Sequence, residues 1–334
     1  MKLLIATQAV DENDPNLGFF IAWIQEFARH VDTVTVLCLR EGQHSLPSNV
    51  RIMRLPSSRL GRVLGVWRYS LARRGEYDAV FVHMNPEYLV VAGLFWQLLG
   101  KRAVLWYTHK HVDLKLRIAV LFASVVCTAS DASFRLRTRK LRVMGHGIEQ
   151  YPERIHKSED TSLRVVTVGR ISQTKKISEM LDVMEALHTQ GVSFTFTIIG
   201  APITQADQAY EQALKEKIRV SAYGASVHML GARPHTAIAA ILASADVFLN
   251  MSTTGSFDKA VLEAIAAGVV PVTTNEAYSE LLTPYGLYIA SADSKQIAEA
   301  IRSATKKDIQ ELTARVAREH ALGGLIQRLV AVLS

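Results

Sequence analysis

The sequence predicts two α/β domains in tandem, each built around a doubly wound parallel sheet. Apolar, β-branched runs alternate with amphipathic helical patterns along most of the chain. Uninterrupted apolar runs of this kind are typical of strands that are buried on both faces of a parallel sheet. The alternation is broken by the polar stretch PERIHKSEDTS, which follows Tyr151. A chain of 334 residues also fits two domains of ordinary size better than one.

The amino-terminal domain, which we assign to residues 1–150, contains five predicted strands. They begin in order at Leu3 (LLIAT), Val34 (VTVLCL), Ala79 (AVFVHM), Ala103 (AVLWYT) and Ser124 (SVVCTA).

A predicted helix lies between the second and third of these strands, in residues 57–74. Its apolar stripe is flanked by arginines and consists of Leu60, Leu64, Trp67 and Leu71. Such a helix can pack its stripe on the sheet, or it can lie on an anionic membrane surface. The sequence favours the two alternatives equally.

The carboxy-terminal domain, which we assign to residues 151–334, repeats the pattern. Its strands begin at Arg164 (RVVTVG), Phe194 (FTFTIIG), Ser226 (SVHMLG), Asp246 (DVFLN) and Val269 (VVPVTT). Helical patterns cover residues 177–187, 207–220, 235–243 and 260–266, and the last helix of the chain is a candidate for packing back on the first domain. Because ligands bind beyond the carboxyl ends of parallel strands, we expect the site in a cleft between two facing sheets.

The composition excludes several classes of protein. Hydrophobic residues make up 49% of the chain and charged residues 21%, which excludes disordered and collagen-like chains. The two cysteines, Cys38 and Cys127, lie in apolar runs and form neither a disulfide framework nor a zinc site. The longest apolar stretches are too short for a membrane-spanning helix, and the amino terminus lacks the apolar core of a signal peptide. We therefore expect a cytoplasmic protein.

The charge is distributed unevenly between the two domains. Residues 1–150 contain 20 Lys and Arg against 12 Asp and Glu, whereas the remainder contains 18 against 19. A basic domain indicates an anionic partner, which can be a membrane surface, nucleic acid or a phosphorylated substrate. Nucleic acid is disfavoured because no helix-turn-helix or basic-aromatic strand pattern occurs.

Two segments carry features that suit phosphate groups. Gly18 follows the first strand and opens a helix, where backbone N–H groups can approach an anion; a plain turn is the alternative. The segment VGRISQTKK ends another strand with Gly169 and Arg170 and continues to Lys175. A guanidinium and an ammonium at a strand end suit a diphosphate, although lysines before a helix are often only solvated.

A third segment, TGSFDKAVLEAIAAGVVPVTT, runs from a loop of small residues into an apolar helix. Lys259 and Glu263 are four residues apart in it, a spacing that also fits an ordinary surface ion pair. A carboxylate in so apolar a helix nevertheless needs a partner, and ribose hydroxyls would serve.

Taken in order, these segments resemble the retaining glycosyltransferases of family 4, whose GT-B fold consists of two Rossmann-like domains. The resemblance covers nearly the whole chain. It rests on the glycine loop at Gly18, the strand end at His109, the VGR-x4-K pattern from Val168 to Lys175, ASADVFLNMS at 243–252 and LEAIAAGVVPV at 262–272.

The resemblance implies roles for individual residues. Arg170 and Lys175 would hold the donor diphosphate and stabilise the leaving group without a metal, and the sequence contains no DxD motif. Glu263 would bind the nucleotide ribose, Gly18 would approach the donor phosphate, and His109 would lie beside the anomeric carbon. No cofactor is implied, since the nucleotide-sugar is a substrate.

Two positions depart from the family pattern. One is His146 in the segment MGHGIE, where the family commonly has an asparagine before the glycine, and the other lies in the donor-binding loop. The first glutamate of the E-x7-E motif is replaced by Gly255, so the donor-binding loop reads Gly255, Ser256, Phe257, Asp258 and Lys259. Two explanations are open: Asp258 or Lys259 contacts the donor sugar instead, or the donor sugar lacks or modifies the hydroxyl group that the glutamate would bind. The departure at Gly255 also favours an alternative, a catalytically weak subunit that binds nucleotide-sugar for a partner enzyme.

The resemblance implies a retaining, metal-independent glycosyltransferase of surface polysaccharide or glycolipid assembly, and the basic first domain favours a lipid-linked acceptor. Its expected partners are a nucleotide-sugar donor and a lipid-linked or glycan acceptor, with an anionic membrane surface as a further candidate and no nucleic acid. Its expected location is cytoplasmic, with the inner face of the membrane as a peripheral site. An epimerase on the same fold is disfavoured because its usual carboxylates are not identifiable.

Overall fold

The computed structural model of the chain describes residues 1–14, 17–149, 162–255 and 257–334. The chain divides into two compact units, one of Met1–Glu149 with Glu319–Ser334 and one of Gln150–Arg318. The boundary therefore falls next to the one expected from sequence, and the final segment is grouped with the first unit.

The strands alternate with helices through both units. The strands are β1 (Lys2–Ala6), β2 (Ala9–Val10), β3 (Thr33–Cys38), β4 (Arg40–Glu41), β5 (Val50–Arg54), β6 (Ala79–His83), β7 (Arg102–Trp106), β8 (Val125–Thr128), β9 (Leu141–Val143), β10 (Leu163–Val168), β11 (Phe194–Ile199), β12 (Val227–Gly231), β13 (Val247–Asn250) and β14 (Val270–Thr273). The helices are α1 (Phe20–His30), α2 (Arg59–Ala72), α3 (Glu87–Leu98), α4 (Leu114–Phe122), α5 (Ile177–Thr189), α6 (Gln205–Val220), α7 (His235–Ser244), α8 (Lys259–Ala266), α9 (Ser279–Leu282), α10 (Ser294–Ala304), α11 (Gln310–His320) and α12 (Leu322–Leu333).

The first unit is built on a seven-stranded sheet in the order β5-β3-β1-β6-β7-β8-β9. Its strands are parallel, as the continuous apolar runs predicted. Helices α1 and α12 supply one apolar core, in which Phe27, Leu325 and Leu329 are fully buried. Residues of α2, α3 and α4 contribute to a second core, around Trp96 and Tyr77. The two cores correspond to the two faces of a doubly wound sheet.

The second unit is built on a five-stranded parallel sheet in the order β12-β11-β10-β13-β14. Asp246 joins β10 to β13 at the start of both strands. Its carboxylate accepts hydrogen bonds from the backbone N–H of Arg164 at 2.9 Å and from the Arg164 guanidinium at 3.2 and 3.3 Å. Asp246 is buried, whereas the Arg164 side chain is 32% exposed. The pair lies at the amino ends of the strands, opposite the carboxyl ends where ligands bind in such sheets.

The structure contradicts one of the two alternatives for helix α2, the packing of its apolar stripe on the sheet. The stripe does not enter the core, since Leu60, Leu64, Trp67 and Leu71 are 70%, 51%, 39% and 41% exposed. The helix packs instead through Val66, Tyr69 and Ser70. None of the helices in the described ranges is both long enough and apolar enough to cross a bilayer.

Candidate functional site

The polar residues of the second unit converge on the carboxyl edge of its sheet. Gly169 and Arg170 follow β10, Asn250 is the last residue of β13, and Thr273 is the last residue of β14. Because the three strands are parallel neighbours, their carboxyl ends share one edge. The VGR segment, the small-residue loop and the start of α8 therefore meet at one place.

Lys175 and Asp258 form an ion pair at this edge. The Lys175 ammonium donates to Asp258 Oδ2, and Asn250 Nδ2 donates to the same oxygen at 3.1 Å. The two charged side chains are 19% and 12% exposed, so the pair is largely shielded from water. A phosphate group could therefore replace Asp258 as the partner of the Lys175 ammonium, and the Asp258 carboxylate could accept a hydrogen bond from a hydroxyl group.

A buried polar network fixes the position of Asp258. Thr273 Oγ1 donates to Asn250 Oδ1 at 2.9 Å, and the backbone N–H of Asn275 donates to Thr273 Oγ1 at 3.0 Å. The Tyr278 hydroxyl donates to the backbone oxygen of Asp258 at 2.6 Å. Asn250, Thr273 and Tyr278 are almost fully buried, so their hydrogen bonds hold the loop in one arrangement.

Glu263 is buried in α8 and is held by two basic side chains. Lys259 Nζ and His235 Nε2 each lie 3.1 Å from its Oε1 atom. Burial by itself would raise the pKa of the Glu263 carboxyl. The charge of Lys259 and the hydrogen bond and charge of His235 together outweigh burial and lower this pKa to about 2. The group is therefore a carboxylate at neutral pH, ready to accept hydrogen bonds from hydroxyl groups.

Arg170 remains available at the same sheet edge. Its side chain is 45% exposed, and its Nε atom lies 3.9 Å from Asp207 Oδ2. Asp207 is engaged elsewhere, since its carboxylate accepts from the backbone N–H groups of Ile203 and Thr204 and belongs to the capping box of α6. The guanidinium therefore has donors to spare for an anionic ligand.

The loop between β13 and α8 departs from an ordinary turn at Gly255. This residue has a φ of 59°, in the left-handed region where residues with a Cβ are disfavoured. The glycine is thus required by the backbone, and a glutamate at this position would be strained. Phe257 packs against Tyr278, with ring centroids 4.6 Å apart. Ser256, which we also expect in the donor-binding loop, lies outside the described residues.

The two remaining candidates, Gly18 and His109, lie in the first unit. The Gly18 N–H donates to the backbone oxygen of Asp14 at 2.9 Å. A Cβ at Gly18 would lie 2.7 Å from the oxygen of Glu12, so this glycine is required by a close backbone approach. His109 follows β7, and its ring meets that of Tyr107 edge-on at 5.7 Å.

Four residues of the site escaped the sequence reasoning. Asn250 ends an apolar strand next to the loop, and this position could have indicated that it belongs to the site. His235, Thr273 and Tyr278 gave no such signal, because only the fold brings His235 to Glu263, Thr273 to Asn250 and Tyr278 to Asp258.

Relatives of known name match parts of the chain. WcaL of Escherichia coli (strain K12), a protein named as a colanic acid biosynthesis glycosyltransferase, is 27% identical over 184 residues, or 52% of this chain and 44% of the relative. A GDP-mannose-dependent alpha-(1-6)-phosphatidylinositol dimannoside mannosyltransferase of Mycobacterium tuberculosis (strain ATCC 25177 / H37Ra) is 28% identical over 222 residues, or 62% of this chain and 55% of the relative. The chain thus spans about half the length of these relatives.

Solved structures resemble the whole chain. Anabaena HepE in complex with UDP and glucose has a TM-score of 0.75 and 18% identity, over 100% of this chain and 99% of HepE. WaaG, a glycosyltransferase involved in lipopolysaccharide biosynthesis, has a TM-score of 0.68 and 15% identity, over 99% of each chain. At such identities the likeness shows the fold alone, and it confirms the GT-B fold with two Rossmann-like sheets.

A family model covers the unit that holds the polar sheet edge. The model described as glycosyl transferases group 1 matches residues 151–320, which is more than half of the 334 residues. The chain therefore belongs to the glycosyl transferases group 1 family.

Proposed function

We propose that the chain is a retaining, metal-independent glycosyltransferase, which moves a sugar from a nucleotide-sugar donor to a lipid-linked or glycan acceptor in surface polysaccharide or glycolipid assembly. The observation that carries the proposal is the polar carboxyl edge of the second sheet, where Arg170 follows β10 and Lys175 pairs with Asp258, next to the helix that holds Glu263. These adjoining segments supply two cations that suit a diphosphate and two carboxylates that suit hydroxyl groups.

The donor would be bound through an exchange of partners. When the diphosphate approaches, the Lys175 ammonium leaves Asp258 and pairs with a phosphate oxygen, and Arg170 adds a second cation. The Asp258 carboxylate, still held by Asn250, is then free to accept a hydrogen bond from a sugar hydroxyl. Asp258 would thus perform the function of the glutamate that relatives have at the position of Gly255.

The Glu263 carboxylate would bind the ribose hydroxyls of the nucleotide. Its charge is maintained by Lys259 and His235, so it can accept from both hydroxyls of a vicinal diol. The residue therefore orients the nucleotide, while Arg170 and Lys175 stabilise the negative charge that develops on the departing nucleoside diphosphate.

The acceptor class is supported by the first unit and by the relatives. The relatives named above act, by their names, in colanic acid biosynthesis and on a phosphatidylinositol dimannoside. The exposed stripe of α2 is flanked by arginines, including Arg68 and Arg74. Such a surface suits an anionic membrane, where a lipid-linked acceptor would be found.

A second candidate function rests on Gly255. A chain without the family glutamate would bind nucleotide-sugar and yet transfer little sugar, and would then serve a partner enzyme. The two functions differ in turnover and agree in donor binding.

The experiment is a transfer assay with purified protein, radiolabelled nucleotide-sugars and a lipid extract from the source cells as acceptor. We expect label to enter the lipid fraction in the presence of EDTA, and the product linkage seen by NMR to keep the anomeric configuration of the donor. Inversion of that configuration, or loss of activity with EDTA, would contradict the retaining or the metal-independent part of the proposal. Donor binding with no transfer to any extract would favour the binding subunit.

A further inference from the structure

A cavity of about 500 Å³ opens between α2 and α3 in the first unit. Its size is ordinary for a small-molecule site. Leu55, Val66 and Tyr88 are buried core residues that line it, so its inner wall is apolar. The Tyr88 hydroxyl donates to the backbone oxygen of Thr7 at 2.8 Å, which fixes this wall to the end of β1.

The cavity also carries an excess of positive charge. Arg59, Arg62 and Lys115 line it, against one carboxylate, that of Glu87. Lys115 is paired with Glu87, and the Arg62 guanidinium donates to the backbone oxygen of Ser57 at 2.7 Å, which orients it without neutralising it. Arg59 has no ion-pair partner among the residues that the structure describes. Two guanidinium groups are thus left to bind an anion.

The helices that form the cavity also carry exposed apolar side chains. Beside the α2 stripe, Leu94 and Leu98 of α3 are 50% and 75% exposed. The two helices contact each other through Trp67, whose Nε1 donates to the backbone oxygen of Val91 at 2.7 Å and whose ring meets Phe95 edge-on. Exposed apolar residues on adjoining helices are typical of a surface that meets a membrane or another apolar partner.

From these features we infer that the cavity between α2 and α3 binds a phosphate-bearing lipid. The phosphate pairs with Arg59 and Arg62, and the first carbons of the hydrocarbon chain lie against Val63, Val66 and Tyr88. A purely polar anion would leave the apolar wall unused, and a neutral lipid would leave two guanidinium groups unpaired. The inference goes beyond the proposed function, because it assigns a ligand to a cavity of the first unit. Its test does not depend on sugar transfer.

The test is calorimetric titration of the full chain with decyl phosphate, below its critical micelle concentration. Inorganic phosphate and decyl maltoside serve as the head-only and neutral-chain probes. We expect decyl phosphate to bind, and both probes to bind far more weakly. Arg59→Gln should weaken the binding of decyl phosphate about tenfold, the usual loss for one charge-assisted hydrogen bond.

The matched control is Arg117→Gln, an equal change of charge at an exposed position of α4 outside the cavity, which should leave the Kd of decyl phosphate unchanged. Val63→Trp, which fills the cavity, should abolish binding, and circular dichroism checks that each variant is folded. Equal affinity for inorganic phosphate would overturn the inference in favour of a polar anion. Equal affinity of wild type and Arg59→Gln for decyl phosphate would overturn it as well, because the Arg59 charge would then not contribute to binding of the phosphate group. Failure here leaves donor binding untouched, whereas failure of the transfer assay leaves decyl phosphate binding untouched.

Discussion

The central residues of the candidate site are charged side chains whose ion-pair partners are distant in the sequence and are brought close by the fold. Lys175 and Asp258 are 83 positions apart in sequence, and His235 and Glu263 are 28 apart. The sequence could indicate Arg170, Lys175 and Glu263, because their residue types and spacing suit phosphate and ribose. It could not show that Asp258 pairs with Lys175, because that contact depends on strands β10 and β13 being neighbours.

Glu263→Gln should lower the stability of the protein, because it leaves Lys259 and His235 beside a neutral amide. We expect a loss of about 1–3 kcal/mol at pH 7 in urea unfolding. The pKa of Glu263 is lowered from 4.5 to about 2 in the folded protein, so the carboxylate's stabilising effect is complete above pH 4.5 and is lost as the pH falls toward 2. The difference between wild type and variant should therefore shrink as the pH falls below 4.5. The exposed Glu185→Gln is the control; a difference that does not change with pH would contradict the assignment.

Arg170→Ala and Lys175→Ala should each slow sugar transfer by roughly 100-fold to 1,000-fold, the usual effect of removing one preorganised donor to a developing charge. The measurement is the initial rate at saturating donor, with circular dichroism as the check on folding. The matched control is Lys215→Ala, which removes a cation on α6 that is paired with Glu211. Wild-type turnover in a folded Arg170 or Lys175 variant would remove that residue from the leaving-group site.

Gly255→Glu should destabilise the protein even though it restores the family residue. A side chain at a φ of 59° costs about 1–2 kcal/mol. Gly255→Asn should cost less, because asparagine tolerates the left-handed region better. Thermal unfolding of the two variants tests the order of stability. If Gly255→Glu were as stable as wild type, the left-handed geometry of the loop would be wrong.

At the scale of elements, the sequence predicted the five strands of the second sheet and the central strands of the first, and it missed the two edge strands of the first sheet. Continuous apolar runs identified β1, β3, β6, β7, β8 and the five strands of the second unit. Strand β5 was missed because its residues are only half-buried or exposed at one edge of the first sheet. Strand β9 was missed at the other edge, where Leu141 is half-buried and the next two residues are exposed. Helix α2 was predicted in its range, but which side of it faced outward could be read only from the structure.

Helix α2 leads to a prediction about membranes. Vesicles of phosphatidylcholine with added phosphatidylglycerol should retain the protein at low salt and release it as salt screens the arginines. Arg68→Gln should lower the partition coefficient about fivefold, since one basic residue near an anionic surface contributes about 1 kcal/mol. Leu64→Ser should weaken binding further, whereas Val220→Ser, which changes an exposed residue of the second unit, should not. Equal retention by neutral and anionic vesicles would exclude the basic helix as the anchor.

At the scale of the whole molecule, the two parallel-sheet units carry different candidate binding features. The first unit holds the basic, partly apolar surface, and the second holds the polar sheet edge with Lys175, Asp258 and Glu263. The uneven charge along the sequence already indicated such a division. The sequence could not identify the cavity between α2 and α3, because its walls come from segments that are distant along the chain.

The central claim is that the second unit binds the diphosphate of a nucleotide-sugar at its sheet edge. Its most direct test is the binding of UDP, GDP, ADP and dTDP to the purified chain, followed by calorimetry and by thermal unfolding. We predict that at least one of them binds and raises Tm, since a ligand at 100 times its Kd adds about 2.7 kcal/mol to the stability of the native state. We predict also that Lys175→Ala weakens this binding at least about tenfold. Binding of none of the four, or equal binding by wild type and a folded Lys175→Ala variant, would contradict the account.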